Sequence, residues 1–163
     1  MRKAMLLLIV FSLAGSLWAA DPIIGTWKLN IAKSKSRTGG DVTAKERTDV
    51  YREIEGNQIE WTRTETRADG SLSSSRLIWP QQGGIVTLLL PGKEPVTKTP
   101  DGESMIETLI EPGKWYVTRL RDARQRSVYY KIVSSDGKTL SVIVKGHDEQ
   151  GKPYESLTVY DKQ

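Results

Sequence analysis

The sequence predicts an all-β fold, a single antiparallel up-and-down β-barrel of 8–10 strands. Three observations predict it. Apolar residues recur with a period of two from Ile23 onward, turn residues punctuate the chain at short intervals, and no stretch carries the 3.6-residue period of an amphipathic helix. Sequential hairpins without a long crossover favour a barrel over a sandwich.

The strands are predicted in order at 23–30, 47–55, 58–68, 71–79, 85–90, 104–111, 114–121, 126–134, 139–146 and 154–161. Their separators are turn formers: Gly56-Asn57, Asp69-Gly70, Gln82-Gly83-Gly84, Pro91-Gly92, Pro112-Gly113, Asp136-Gly137 and Gln150-Gly151. Residues 31–44, rich in Lys, Ser, Thr and Gly, read as a loop or lid. Alternation is clearest at Leu140, Val142 and Val144, which share one face opposite Ser141 and Ile143. Gly39-Gly40 and Gly83-Gly84 precede no helix and read as turns, not phosphate loops.

Residues 1–20 differ from the rest. Arg2 and Lys3 precede an apolar run, Met5 to Leu13, and small residues follow at Ala14, Gly15, Ser16, Ala19 and Ala20. That order is a secretory signal, and the run is too short to cross a bilayer as a helix. Cleavage is expected after Ala19 or Ala20, leaving 21–163 as one domain in the periplasm or outside the cell. The chain carries 24 Lys and Arg against 20 Asp and Glu, net +4, and losing Arg2 and Lys3 leaves about +2. So balanced a charge implies no nucleic acid partner and no membrane insertion after signal removal; a monomer is expected. The absence of Cys excludes a disulfide framework and a thiolate metal site.

Catalytic signals are weak. The single histidine, His147, lies beside Asp148 and Glu149 without a ligand spacing or a nucleophile elbow, and it reads as part of a solvated turn. Acid pairs such as Glu53 with Glu55, or Glu60 with Glu65, could serve an acid-pair hydrolase only if they faced each other across a cleft. No enzyme, metal or cofactor is expected.

The arginines are the stronger clue. Arg63 and Arg67 share a strand face with Ile59 and Trp61; Arg119 and Arg121 share one with Trp115 and Val117. Pointing inward, these faces make an interior with an apolar base and a cationic upper layer, suited to an amphipathic anion. Pointing outward, they are surface charges paired across strands. The outward reading is favoured, because long charged side chains are seldom buried.

Gly25-Thr26-Trp27-Lys28-Leu29 carries the Gly-x-Trp signature that opens lipocalins and fatty-acid-binding proteins. Val159-Tyr160-Asp161-Lys162 is similar to the last strand of the latter. Together with Asn30-Ile31-Ala32-Lys33-Ser34-Lys35, Asp136-Gly137-Lys138-Thr139-Leu140 and Gly151-Lys152-Pro153, the chain resembles uncharacterised small secreted bacterial lipocalin-like proteins. The resemblance implies a lipocalin-like, calycin-like barrel that binds a small apolar or amphipathic molecule in its interior. Gly25 would let the chain turn into the barrel floor and Trp27 would plug it. Trp61, Arg63, Arg119 and Tyr160 are the ligand-binding candidates. Two departures bear on the ligand. Residues 31–44 are too short and too poor in helix formers for the helical hairpin of fatty-acid-binding proteins. The Arg of their Arg-x-Tyr pair is Thr158 here, so a fatty-acid carboxylate held in that mode is not expected. The alternative is a structural or interaction protein with a filled barrel and a functional surface.

Overall fold

The computed structural model describes residues 20–36, 44–148 and 150–163, so the predicted signal lies outside the described residues except for Ala20. The strands are β1 (Gly25–Leu29), β2 (Ala44–Ile54), β3 (Gln58–Arg67), β4 (Leu72–Pro80), β5 (Gly83–Ile85) and β6 (Thr87–Leu88). They continue with β7 (Glu103–Glu111), β8 (Lys114–Arg121), β9 (Arg124–Val133), β10 (Thr139–His147) and β11 (Pro153–Lys162). All pair antiparallel in one sheet, in the order β5-β7-β8-β9-β10-β11-β1-β2-β3-β4-β6.

The sheet curls into a nearly closed barrel, all-β as predicted. Its count of eleven exceeds the expected range because one predicted strand is split. Gly83–Ile85 pairs with β7, and Thr87–Leu88 pairs with β4. Val86 is the hand-over point: its N–H donates to the Met105 carbonyl at 3.0 Å, while the Leu89 N–H donates to the Arg76 carbonyl at 3.0 Å. One kinked segment thus bridges the two sheet edges and covers backbone groups that would otherwise stand open.

The closed end is built from the first described residues. Ile23, Trp27, Ile59, Trp79, Trp115 and Leu140 are fully or almost fully buried there with Tyr51. Asp21 accepts from the Ile23 N–H at 2.9 Å and the Gly113 N–H at 3.2 Å, stitching the chain's entry to the β7–β8 turn. Trp27 donates from Nε1 to the Ile23 carbonyl at 2.7 Å, and the Lys162 ammonium lies 5.0 Å from its ring centre. Gly25 precedes it at φ +138°, where a Cβ would come within 2.9 Å of Lys162 Cε. Tyr51, Trp79 and Trp115 stack edge to face in series, with ring centres 6.2 Å apart at both steps. Each such contact contributes about 0.5–1.5 kcal/mol beyond area burial.

Of the predicted loop or lid, 31–44, residues 37–43 lie outside the described residues. Ile31–Lys33 forms a single 3₁₀ turn, and Lys35 then pairs with Leu157 through two backbone hydrogen bonds of 2.7 and 3.0 Å. The stretch around Lys35 therefore runs beside β11, continuing the line of β1, while Ala44 opens β2. Leu88 at the end of β6, and residues 89–91 and Thr99 in the connection from β6 to β7, line the cavity.

Candidate functional site

Strand alternation sorts each strand into two faces, and the closed sheet decides which of them enters the barrel. Tyr51 and Trp61 face inward from β2 and β3, so their period-two neighbours Arg47, Asp49 and Arg63 do too. Trp115 and Val117 likewise bring Arg119 to the same side of β8. The outward expectation is thus overturned for Arg63 and Arg119, while Arg67 is exposed and Arg121 sits at the mouth with Asp101 and Glu103. The charges are admitted because each meets an opposite charge from a neighbouring strand, which offsets the cost of leaving water.

These walls enclose a cavity of about 560 Å³. Its upper part is a belt of ion pairs. Arg63 forks onto Asp49, with Nε to Oδ1 at 2.8 Å and Nη2 to Oδ2 at 2.7 Å, and Nη2 also donates to the Tyr160 hydroxyl at 2.9 Å. Trp61 Nε1 donates to Asp49 Oδ2 at 3.1 Å, and the Arg63 guanidinium lies 4.7 Å from the Trp61 ring centre. Arg47 pairs with Glu65 at 2.6 Å, and Arg119 pairs with Glu103 nearer the mouth. Deeper, Lys131 Nζ donates to Glu107 Oε1 at 2.7 Å, and it lies 4.8 Å from the Trp79 ring centre and 5.5 Å from that of Tyr51.

The titrations follow from this packing. Burial works against the Arg63 charge, but Asp49 overrides it and holds the guanidinium more firmly protonated than usual. Burial raises the Glu107 carboxyl above its ordinary range, with Lys131 opposing. Burial, with Asp49 next in effect, pushes the Tyr51 phenol well above its ordinary value. Four buried side-chain polar atoms lack a hydrogen-bond partner among the described residues: Glu107 Oε2, Trp79 Nε1, Trp115 Nε1 and Arg121 Nε. Of these four residues, Glu107 alone lines the cavity.

All four ligand-binding candidates line this space. Trp61 and Arg63 both donate to Asp49, Arg63 also donates to the Tyr160 hydroxyl, and Arg119 stands on β8 with Glu103 and reaches the mouth. Thr158 also lines the cavity; the cation missing from the last strand is supplied to Tyr160 by Arg63 on β3. Asp49, Glu107 and Lys131 were missed. For Glu107 and Lys131 the signal is one charge in an inward row, Met105-x-Glu107-x-Leu109 and Tyr129-x-Lys131-x-Val133, with opposite signs; Asp49 shares its inward row with Arg47 and carries no such signal. His147 is exposed at the end of β10. Glu60 and Glu65 fall on opposite faces of β3, bonded to Arg76 and Arg47 respectively, so they do not face each other.

No protein-family model matches the sequence, and no curated protein matches it. Among solved structures, the chain is similar to the zebrafish ileal bile acid-binding protein complexed with cholic acid. That match has 12% identity and a TM-score of 0.52, covering 87% of this chain and 99% of the other. It is also similar to a mutant of the fluorescent protein UnaG, at 12% identity and a TM-score of 0.55, covering 89% of this chain and 99% of that one. The fold is thus that of the fatty-acid-binding-protein-like calycin barrels.

Proposed function

We propose that this chain is an exported, non-enzymatic binding protein that holds a small amphipathic molecule inside its barrel. The observation that carries the reading is the cavity itself. Its volume of about 560 Å³ falls within the roughly 300–1,000 Å³ of ligand pockets, and its walls combine apolar side chains with a belt of ion pairs and a deeper Glu107–Lys131 pair. An apolar body would lie against Leu77, Val117 and Val142, and a polar end would meet one of the charged groups of the wall, which stand at two depths, the belt and the Glu107–Lys131 pair. Arg63 is already committed to Asp49 through two hydrogen bonds, so a carboxylate ligand would have to displace an internal one. This weighs against the amphipathic anion that an unpaired cationic layer would suit. The cholic acid held by the zebrafish protein supports interior binding as a use of this barrel shape. Export, and kinship with the small secreted bacterial lipocalin-like proteins, rest on the leader and the Gly25–Leu29 motif.

Native mass spectrometry of the protein taken from its own exported fraction tests both parts. The expected result is an N-terminus at Ala20 or Asp21 and a reproducible extra mass that denaturation removes. A bare protein that also leaves its tryptophan fluorescence unchanged across a panel of amphiphiles would overturn the reading in favour of a surface-acting barrel. The outer face would then be the place to look, where Ile85 and Ile106 are exposed cross-strand neighbours.

A further inference from the structure

We infer that the polar end of the ligand is a neutral group able both to donate and to accept, an alcohol or an amide, and that it bridges Glu107 and Lys131. This inference rests on the interior-binding reading and names the chemistry of that site. Glu107 is 3% exposed and lines the cavity; one carboxylate oxygen takes the Lys131 ammonium at 2.7 Å, and the other has no partner among the described residues. A buried carboxylate oxygen left unpaired is costly; Oε2 has almost no accessible surface of its own, so a ligand donor meets it by a turn of the Glu107 carboxylate about its terminal bond toward the cavity. Lys131 offers three N–H donors, of which Glu107 takes one, while the faces of Trp79 and Tyr51 lie beside the ammonium.

The two charges together select against ions. A carboxylate could accept from Lys131 but would be repelled by Glu107 at close range. An ammonium could donate to Glu107 but would be repelled by Lys131. A hydroxyl donates to Glu107 Oε2 and accepts from Lys131 without adding charge. The belt above offers no easier anchor, since Arg47, Arg63 and Arg119 each have a carboxylate partner.

Calorimetry with four chain-matched probes at pH 7.5 tests this: 1-decanol, decanoate, decylamine and 1-methoxydecane, the last of which accepts but cannot donate. Decanol is expected to bind at least about tenfold more tightly than the other three, the effect of one hydrogen bond to a charged group. In the double variant Glu107→Leu/Lys131→Met, which removes the ion pair as a unit, that preference is expected to shrink to about threefold or less. Should that variant fail to fold, Glu107→Gln keeps the side-chain shape and is expected to lose about tenfold in discrimination against decanoate. Decanoate, decylamine or the ether binding as tightly as decanol to the unaltered protein would overturn the inference and leave interior binding standing. So would a preference for decanol that survives the substitutions. No binding by any of the four would overturn interior binding, and the inference with it.

Discussion

Removing Asp49 should destabilise the barrel far more than its single charge suggests. Asp49 is 1% exposed and accepts three hydrogen bonds, from Arg63 Nε, Arg63 Nη2 and Trp61 Nε1. Asp49→Ala strands a guanidinium and an indole N–H together. Hydrogen bonds to charged groups contribute about 1.5–3 kcal/mol each, which summed would overstate the loss. The Arg63 side chain is 28% exposed, so water can replace part of what Asp49 supplied. The expected cost is about 3–4 kcal/mol, the lower part of the range for breaking a buried pair. For a chain of this size that corresponds to a fall in Tm of about 6–16 °C. Arg63→Met, which leaves the buried carboxylate behind, should cost a similar amount. The double variant Asp49→Ala/Arg63→Met should cost at least about 2 kcal/mol less than the two single losses added, because neither charge is then left alone. Urea unfolding followed by tryptophan fluorescence measures all four corners of the cycle. Additivity within about 0.5 kcal/mol would refute the view that the pair is held inward by mutual compensation.

Trp27→Ala should cost about 3–5 kcal/mol, since it empties a fully buried site at the closed end and removes the bond to the Ile23 carbonyl; chemical denaturation measures it. Gly83→Ala should cost about 2–3 kcal/mol in a thermal melt. Its φ is +95° and a Cβ would stand 2.7 Å from the Glu107 carbonyl oxygen, so the bridging segment must shift away from β7. At high pH the buried phenols become a liability. The folded pKa of Tyr51 is raised, so its contribution is fully present below the ordinary value of 10.0 and is lost as pH climbs from there toward the folded value. Tyr160 is raised in the same direction by burial, with Arg63 opposing. Absorbance titration near 295 nm should therefore reach the full count of six tyrosines only as the fold is lost, and Tyr51→Phe should move alkaline unfolding to higher pH. A full count reached while circular dichroism still reports the native barrel would contradict this.

Most of the secondary structure was legible in the residues because it depends on local rules. The turn pairs Gly56-Asn57, Asp69-Gly70 and Asp136-Gly137 separate strands that lie within a few residues of their predicted bounds, and 114–121 forms the strand Lys114–Arg121. The segment 85–90 differed because Val86 leaves β7 for β4, a hand-over set by two sheet edges that lie far apart in sequence.

What the sequence by itself determined is a set of two-faced strands, their turns, and a row of charge beside Trp61 and another beside Trp115. Alternation divides a strand into two faces and is silent on which one is buried, and the usual bias against buried charge pointed the wrong way for Arg63 and Arg119. Only the tertiary structure decided that. It brings Asp49 on β2 and Tyr160 on β11 to Arg63 on β3, across sequence separations of 14 and 97, and Glu107 to Lys131 across 24. The physical reason is that the free energy of a buried charge depends on its partners, and here those partners come from other strands brought together as the sheet closes.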